Sequence, residues 1–395
     1  MPFPGDFRGA RPLEGIRVLD LTRLIPGPFA SLVLADLGAT VDKVEDTGGG
    51  DYLRHFPPFV AEGYSAGFAC LNRGKRSLVL DLKHERGREV FAKLVTGYDV
   101  LFEQFRPGVL ERLGFGHERL HELNPKLVIC SLTGYGQNGP LAQRAGHDLN
   151  YLARAGVLGL HGPADGPPQV PGWQMADVGG ALWAVVGILA ALMERSRTQK
   201  GCHIDIAMSD AVQGFASASF GAILAGVMPP RGDDLLTGGI AAYNTYLSRD
   251  GAPMTLAALE PKFWTTFCTA VGIEPDMSAL LPGPHQPALK QKVAEIFASK
   301  TRAEWEAFAE EHDCCVEPVL RPDEVRDDPH LRARNLFFSL ETEHGPLGQF
   351  RTPVTPLDEN FTPPPKPGQH SDAILREAGI DDAQIAELRS LGVVR

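Results

Sequence analysis

The first 130 residues alternate between two hydrophobic periodicities, and few folds accept that alternation. Residues 16–21 are a short β-branched and leucine run, residues 28–37 are apolar at helical spacing and residues 41–45 are extended again, and the segments 77–82, 85–94, 100–105 and 127–132 repeat the theme. Buried strands separated by short helices pack as βαβ units on a parallel sheet with right-handed crossovers. This predicts an α/β fold with a Rossmann-like parallel-sheet large domain. A small α/β domain follows it. Residues 242–247, a turn at Arg249-Asp250-Gly251 and residues 254–256 read as a hairpin, with helices expected at 261–271, 286–298 and 301–312 and a strand at 316–320. The expected division is 1–205 for the first part of the large domain, 206–230 for a linker and 231–325 for the small domain. Residues 326–395 form a return linker and the C-terminal part of the large domain. Within this tail, residues 337–341 and 348–352 read as strands, 353–367 are proline-rich, and 372–378 and 381–391 read as short helices that pack back on the first domain or on a partner subunit.

Several function classes fall away on composition and motif. No Gly-x-Gly-x-x-Gly follows the first strand; Ile25-Pro26-Gly27-Pro28-Phe29-Ala30 stands there instead, which argues against a redox dinucleotide. A net charge of −11 argues against nucleic acid as a general partner, because phosphate backbones need an electropositive face. The six cysteines have no CxxC spacing, as expected of a reduced cytoplasmic protein, and Cys314-Cys315 reads as buried packing. Met1-Pro2-Phe3-Pro4-Gly5-Asp6 lacks the features of a signal peptide, and the apolar stretch 179–193 reads as a core helix too short for a bilayer, so no membrane role is expected. His117-Glu118-Arg119-Leu120-His121 has the spacing of a zinc-peptidase helix, but it sits between Gly116 and Asn124-Pro125 with no third ligand marked, so no metal is expected.

Two kinds of residue carry chemistry. Arg73, Lys75 and Arg76 in Asn72-Arg73-Gly74-Lys75-Arg76-Ser77, with Arg106 in Phe105-Arg106-Pro107-Gly108, lie near strand ends, where open α/β sheets bind ligands; taken alone, such a cluster is more often one of solvated loop charges. Gly146-His147-Asp148-Leu149-Asn150-Tyr151, Met175-Ala176-Asp177-Val178-Gly179-Gly180 and Ala258-Leu259-Glu260-Pro261 supply a His, an Asp and a Glu, sufficient to move a proton on and off carbon. Asp177 reads as the N-cap of a helix running to Arg195, either as a cap alone or as a carboxylate meeting substrate beside amides that receive an oxyanion. Gly179-Gly180 would let a ligand approach the backbone.

Taken together, Pro12-Leu13-Glu14-Gly15-Ile16-Arg17-Val18-Leu19-Asp20-Leu21-Thr22, Ala35-Asp36-Leu37-Gly38-Ala39, Leu71-Asn72-Arg73-Gly74-Lys75-Arg76-Ser77, Phe105-Arg106-Pro107-Gly108, Ser131-Leu132-Thr133-Gly134-Tyr135-Gly136 and Lys200-Gly201 resemble the class III CoA-transferase superfamily over nearly the whole chain. That superfamily includes acyl-CoA transferases, in which an Asp at the position of Asp177 is a nucleophile aided by a glycine run in the small domain. It also includes α-methylacyl-CoA racemases, in which the same Asp is an acid/base opposed by a His, with a Glu before Pro supporting the His. His147, Asp177 and Glu260 fill the three racemase positions, and the small domain offers only Gly238-Gly239. The resemblance implies racemisation of 2-methylacyl-CoA thioesters, with CoA transfer between carboxylic acids as the alternative. CoA enters as part of the substrate, with no metal or redox cofactor. It further implies a CoA site at Arg73, Lys75, Arg76, Arg106, Tyr135 and Gly136 and an intertwined homodimer; on chemical grounds the Asp177 and Val178 amides are candidates for the enolate oxygen.

Overall fold

The short apolar runs become strands β1 (Arg17–Asp20), β2 (Thr40–Glu45), β3 (Lys75–Val79), β4 (Val100–Glu103) and β5 (Val128–Thr133), joined later by β6 (Cys202–Ala207). In the computed structural model, which describes residues 10–61, 64–358 and 360–395, they form one parallel sheet in the order β3-β2-β1-β4-β5-β6. This is the doubly wound order, and it places a switch point between β1 and β4, beyond whose C-terminal ends a crevice opens. The expectation for residues 1–6 lies outside the described residues.

Helix α1 (Pro26–Asp36) follows β1 and is apolar on every side, so ten of its eleven residues are buried. Pro26 and Pro28 stand in its first turn, where backbone amides have no helical partner. Helix α2 (Glu85–Val95) is amphipathic instead; Val90, Phe91, Leu94 and Val95 join β-strand residues in a core that the C-terminal segment closes with Ile374, Leu375, Ile385, Leu388 and Val393. The tail therefore packs on the first unit, through Ser371–Glu377 and Asp382–Ser390.

Two compact units result: residues 1–155, 173–214 and 329–395 form the first, and residues 156–172 with 215–328 form the second. The division differs from the expected one at two places. β6 and the turn after it stay with the first unit as far as Gly214, and residues 156–172 leave it. The second difference has a local cause. Arg231 donates to the carbonyls of Pro163 and Gly166, and a Cβ on Gly232 would lie 2.5 Å from the Gly162 oxygen, so the proline- and glycine-rich 156–172 segment is held by backbone contacts that no periodicity reveals. The second unit is built on an antiparallel sheet of Tyr243–Leu247, Pro253–Ala257 and Val316–Pro318 with an aromatic core of Trp264, Phe267, Phe297 and Trp305.

The apolar stretch 179–193 belongs to a longer helix than expected, Met175–Thr198. It has 24 residues and is long and apolar enough to cross a membrane by length and composition, with 44% of its most apolar window buried. Ala181, Ala184 and Ile188 are buried, while Leu182, Trp183, Val186 and Met193 are exposed.

The basic cluster before β3 lies inside the fold. Arg73 has no exposed side-chain surface; it makes a paired contact with Asp36 (2.6 and 3.3 Å) and donates to Gln349 Oε1 (3.1 Å). Lys75 is equally buried and donates to the Pro28 carbonyl and Asn72 Oδ1, both at 2.9 Å, and burial lowers its ammonium to about 7. Arg76 is held by Asp42 and Glu377. Removing one member of a buried pair leaves an uncompensated charge, whereas an exposed pair is screened. Asp36→Ala should therefore cost about 3–5 kcal/mol in urea unfolding. Glu377→Ala should cost about 1 kcal/mol or less.

Candidate active site

The Asp148 carboxylate joins two helices. Its Oδ1 accepts from the amides of Ala176 (2.6 Å) and Asp177 (3.0 Å), two of the unpaired donors at the start of Met175–Thr198. Asp148 itself opens helix Asp148–Arg154, whose N-cap is His147, with the His147 amide donating to Asn150 Oδ1 (3.1 Å). Because Asp148 follows His147 directly, capping the second helix delivers His147 to the place where Asp177 begins. Both residues line one cavity of about 690 Å³, together with Arg23, Gln104, Arg106 and Arg144.

Three local expectations are corrected by this arrangement. Asp177 is the third residue of its helix rather than the N-cap, and Asp148 does the capping from outside. The two amides expected to receive an enolate are already engaged: that of Asp177 by Asp148 and that of Val178 by the Gln174 carbonyl (3.1 Å). Gly180 serves helix–sheet packing, since a Cβ there would lie 2.7 Å from Met208 Cγ. Two other glycines do shape the site. A Cβ on Gly134 or Gly146 would lie 2.4 or 2.7 Å from the Tyr151 ring, whose hydroxyl donates to the Gly146 carbonyl.

The electrostatics favour a neutral carboxyl. Burial pushes Asp177 up to about 7, and the nearby Asp148 charge adds to the rise. Burial, and then the Asp177 charge, push the Tyr151 phenol up to about 12.

The expected ligand residues divide. Arg106 is exposed and lines the cavity, with no carboxylate partner among the described residues. Arg73 and Lys75 are removed from the ligand set by complete burial, and Arg76 is occupied by two carboxylates. Tyr135 packs edge-on against Tyr151 at 5.1 Å and borders a separate depression with Arg154 and Asp210. Gly136 (φ 84°) faces Asp205. A second cavity of about 690 Å³ shares Arg23, Tyr52, Phe105 and Val109 with the first and extends to the loops 46–51 and 80–83, beyond the ends of β2 and β3. Arg23 and Lys83 are its open cations, and composition gave no reason to prefer them over the buried cluster. Leu24, with φ 66°, also lines the first cavity and has its amide tied to Asp51 (3.0 Å). A left-handed leucine is a strained conformation with no sequence signature.

Glu260 lies on the second unit as the N-cap residue of Pro261–Ala270, with no side-chain cap bond. Gly238 and Gly239 sit in a tight loop in which Asn244 donates to the Gly238 carbonyl (2.9 Å) and a Cβ on Gly239 would lie 2.4 Å from Asp233. His117 and His121 lie on a two-turn helix, His117–Leu123; the first stacks on His203 (3.6 Å between ring centres) and the second contacts the Leu127 carbonyl (3.1 Å).

A carboxyl raised in the fold keeps its proton longer there than in the unfolded chain, so its contribution to stability falls as pH rises from about 4 to 7. Asp177→Asn removes that fall. Thermal unfolding should show the variant more stable than the parent by about 2–5 °C at pH 8, with the gap closing at pH 4.

Comparison with known proteins supplies the context for this geometry. The model of CoA-transferase family III matches residues 13–371. The α-methylacyl-CoA racemase of Homo sapiens is 38% identical over 386 residues, covering 96% of this chain and 96% of that protein. The succinyl-CoA:glutarate CoA-transferase of Homo sapiens is 32% identical over 407 residues, covering 98% and 91%. A CAIB/BAIF family protein from Brucella suis, known as a crystal structure, matches with a TM-score of 0.81 at 32% identity, covering 93% of this chain and 100% of that one. With a match this long in both sequence and structure, the chain belongs to CoA-transferase family III.

Proposed function

We propose that the protein racemises or epimerises 2-methylacyl-CoA thioesters by moving a proton from one face of the α-carbon to the other. The observation that carries the reading is that His147 and Asp177, both able to exchange protons, line the same cavity. The hydrogen α to a thioester is very weakly acidic, so its removal needs a positioned base. In one direction His147 takes that proton and Asp177, kept partly protonated near neutrality by burial, returns one to the opposite face. In the other direction the roles exchange. Glu260 is assigned by resemblance to orient the imidazole. The chemistry calls for no metal or redox cofactor. The enolate oxygen falls to another donor of the cavity wall, because the Asp177 and Val178 amides are occupied.

The CoA part is assigned to the two cavities that share Arg23, Tyr52, Phe105 and Val109, with Arg23, Lys83 and Arg106 meeting its phosphates. A chain of two joined pockets beyond the strand ends suits a long, multiply charged ligand. The exposed apolar residues Leu182, Trp183, Val186 and Met193 support a homodimer, which a solution mass near twice 42.7 kDa would establish.

CoA transfer with Asp177 as nucleophile is the second reading, favoured by the similarity to a CoA-transferase at 32% identity. The small domain offers only Gly238-Gly239 in place of the longer glycine run of the transferase branch, which speaks against it. A single-enantiomer 2-methylacyl-CoA incubated in deuterated water should yield racemic product with deuterium at the α-carbon, and His147→Ala should slow this by about 10²-fold or more. Full activity in His147→Ala would sink the reading. A requirement for a free acid acceptor, with hydroxylamine trapping an acyl group on Asp177, would establish transfer instead.

A further inference from the structure

A polar row crosses the sheet beneath the cavity and takes no part in the proposed proton transfer. Glu103 on β4, Ser131 on β5 and Asp205 on β6 are register partners, so their side chains stand side by side. Glu103, 3% exposed, accepts the Phe105 amide at 2.7 Å, closing its own strand end into the turn that carries Arg106. The Ser131 hydroxyl bonds to Glu103 and lies 3.0 Å from His203 Nε2. A hydroxyl donating to a carboxylate keeps its lone pairs for an incoming N–H, so the chain runs from His203 Nε2–H through Ser131 to Glu103. At the other end of the row, Asp205 Oδ2 accepts the Gln137 amide (3.0 Å) and Thr133 Oγ1 accepts that of Gly136 (3.0 Å). One row thus anchors the turns after β4 and β5, and both turns contribute to the cavity wall: Phe105, Arg106 and Pro107 from one, Gly134 from the other.

We propose that Glu103 is a positioning residue of the cavity: its ionised carboxylate, linked through Ser131 to His203, holds the Phe105-Arg106 turn in its ligand-receiving form, and protonation loosens that turn. The inference rests on the acyl-CoA reading for the identity of the ligand.

The surroundings make this residue responsive near neutral pH. Besides Ser131, Glu103 faces Asp205 on β6 and Glu111 of the short helix Val109–Arg112, and Cys130 lies alongside. Burial pushes its carboxyl up to about 7; the bonds from Ser131 and the Phe105 amide pull it down, and the charges of Glu111 and Asp205 push it up again. His203 is driven the other way, to about 4, by burial and by His117 and His121, so its ring stays neutral where Glu103 titrates. A carboxylate is a stronger acceptor than a carboxylic acid, and the difference acts on the Phe105 amide. A residue with this raised carboxyl lowers stability when it ionises, which separates it from a purely structural one.

The test measures CoA binding by calorimetry between pH 5.5 and 8.5 in an Asp177→Asn background, which removes the carboxyl in the cavity wall that burial raises to about 7. Ionisation of the CoA phosphates is common to all variants. Between pH 8 and pH 6 the background should lose about fivefold in affinity beyond the change seen with Glu103→Gln. Glu103→Gln should bind weakly at both pH values, and Ser131→Ala should move the midpoint of the affinity loss to higher pH. At pH 8 the Glu103→Gln protein should unfold no earlier than its background. Undiminished affinity in Glu103→Gln, or a profile in Ser131→Ala that matches the background, overturns the inference and leaves the acyl-CoA reading standing. An unfolding midpoint that falls together with affinity marks Glu103 as a structural residue and likewise overturns it. CoA binding to none of the proteins overturns the acyl-CoA reading and this inference with it.

Discussion

The site depends on one carboxylate, that of Asp148. A helix start leaves amides without partners, and a long apolar helix such as Met175–Thr198 has little else at its first turn to satisfy them. Asp148 supplies the acceptor from 28 residues earlier in the chain. The same contact fixes the neighbouring His147 beside the cavity and adds a negative charge that helps raise Asp177. Cap, geometry and acidity are thus properties of one interaction. Asp148 thus does from outside what an N-cap side chain would do, and Asp177, the third residue of the helix, is left free of that duty.

A second constraint is the distribution of buried charge around the first three strands. Lys43 is paired with Asp51 (2.9 Å) and donates to the Thr22 carbonyl (2.7 Å); Arg54 is paired with Glu45 (2.6 Å). Those contacts fix the turn after β1 and the loop after β2, which form the walls of the outer cavity. Buried ion pairs of this kind add little net stability, but breaking one is costly, and that asymmetry specifies loop conformation. It also explains why Leu24 tolerates a left-handed backbone: its amide is tied to Asp51, which the lysine already holds in place.

Much of the sheet was legible in the sequence because β1, β4 and β5 are buried and read as largely apolar runs, whereas β6 is only partly buried and carries His203 and Asp205, so no apolar run marked it. The hairpin of the second unit was legible from its turn, where Gly251 adopts φ 78°. His147 and Asp177 were singled out as a His and an Asp beside turn-forming or helix-opening residues, and Arg106 as a cation after a strand; all three line one cavity. The basic cluster at 73–76 misled, since charge density in sequence does not distinguish a solvated loop from a strand start filled with partners. Asp36, Asp42 and Gln349, which occupy those cations, lie 34 to 276 residues away. The segment 156–172 was invisible for the opposite reason: its contacts are made by carbonyls, which every sequence has.

A weakened acid alone does not decide between the two chemistries proposed for Asp177. Burial that keeps a carboxyl protonated near neutrality also makes its anion more basic and, by the same desolvation, a stronger nucleophile. What separates the readings is the company the carboxyl keeps. A nucleophile needs room to form a covalent bond to an acyl carbon and a mobile cover to protect the anhydride; a proton donor needs a partner base across the substrate. Here His147, next to the carboxylate that caps the helix of Asp177, lines the same cavity. The tether that makes the helix start stable also brings a second proton-exchanging residue to the cavity, which supports the proposed proton exchange.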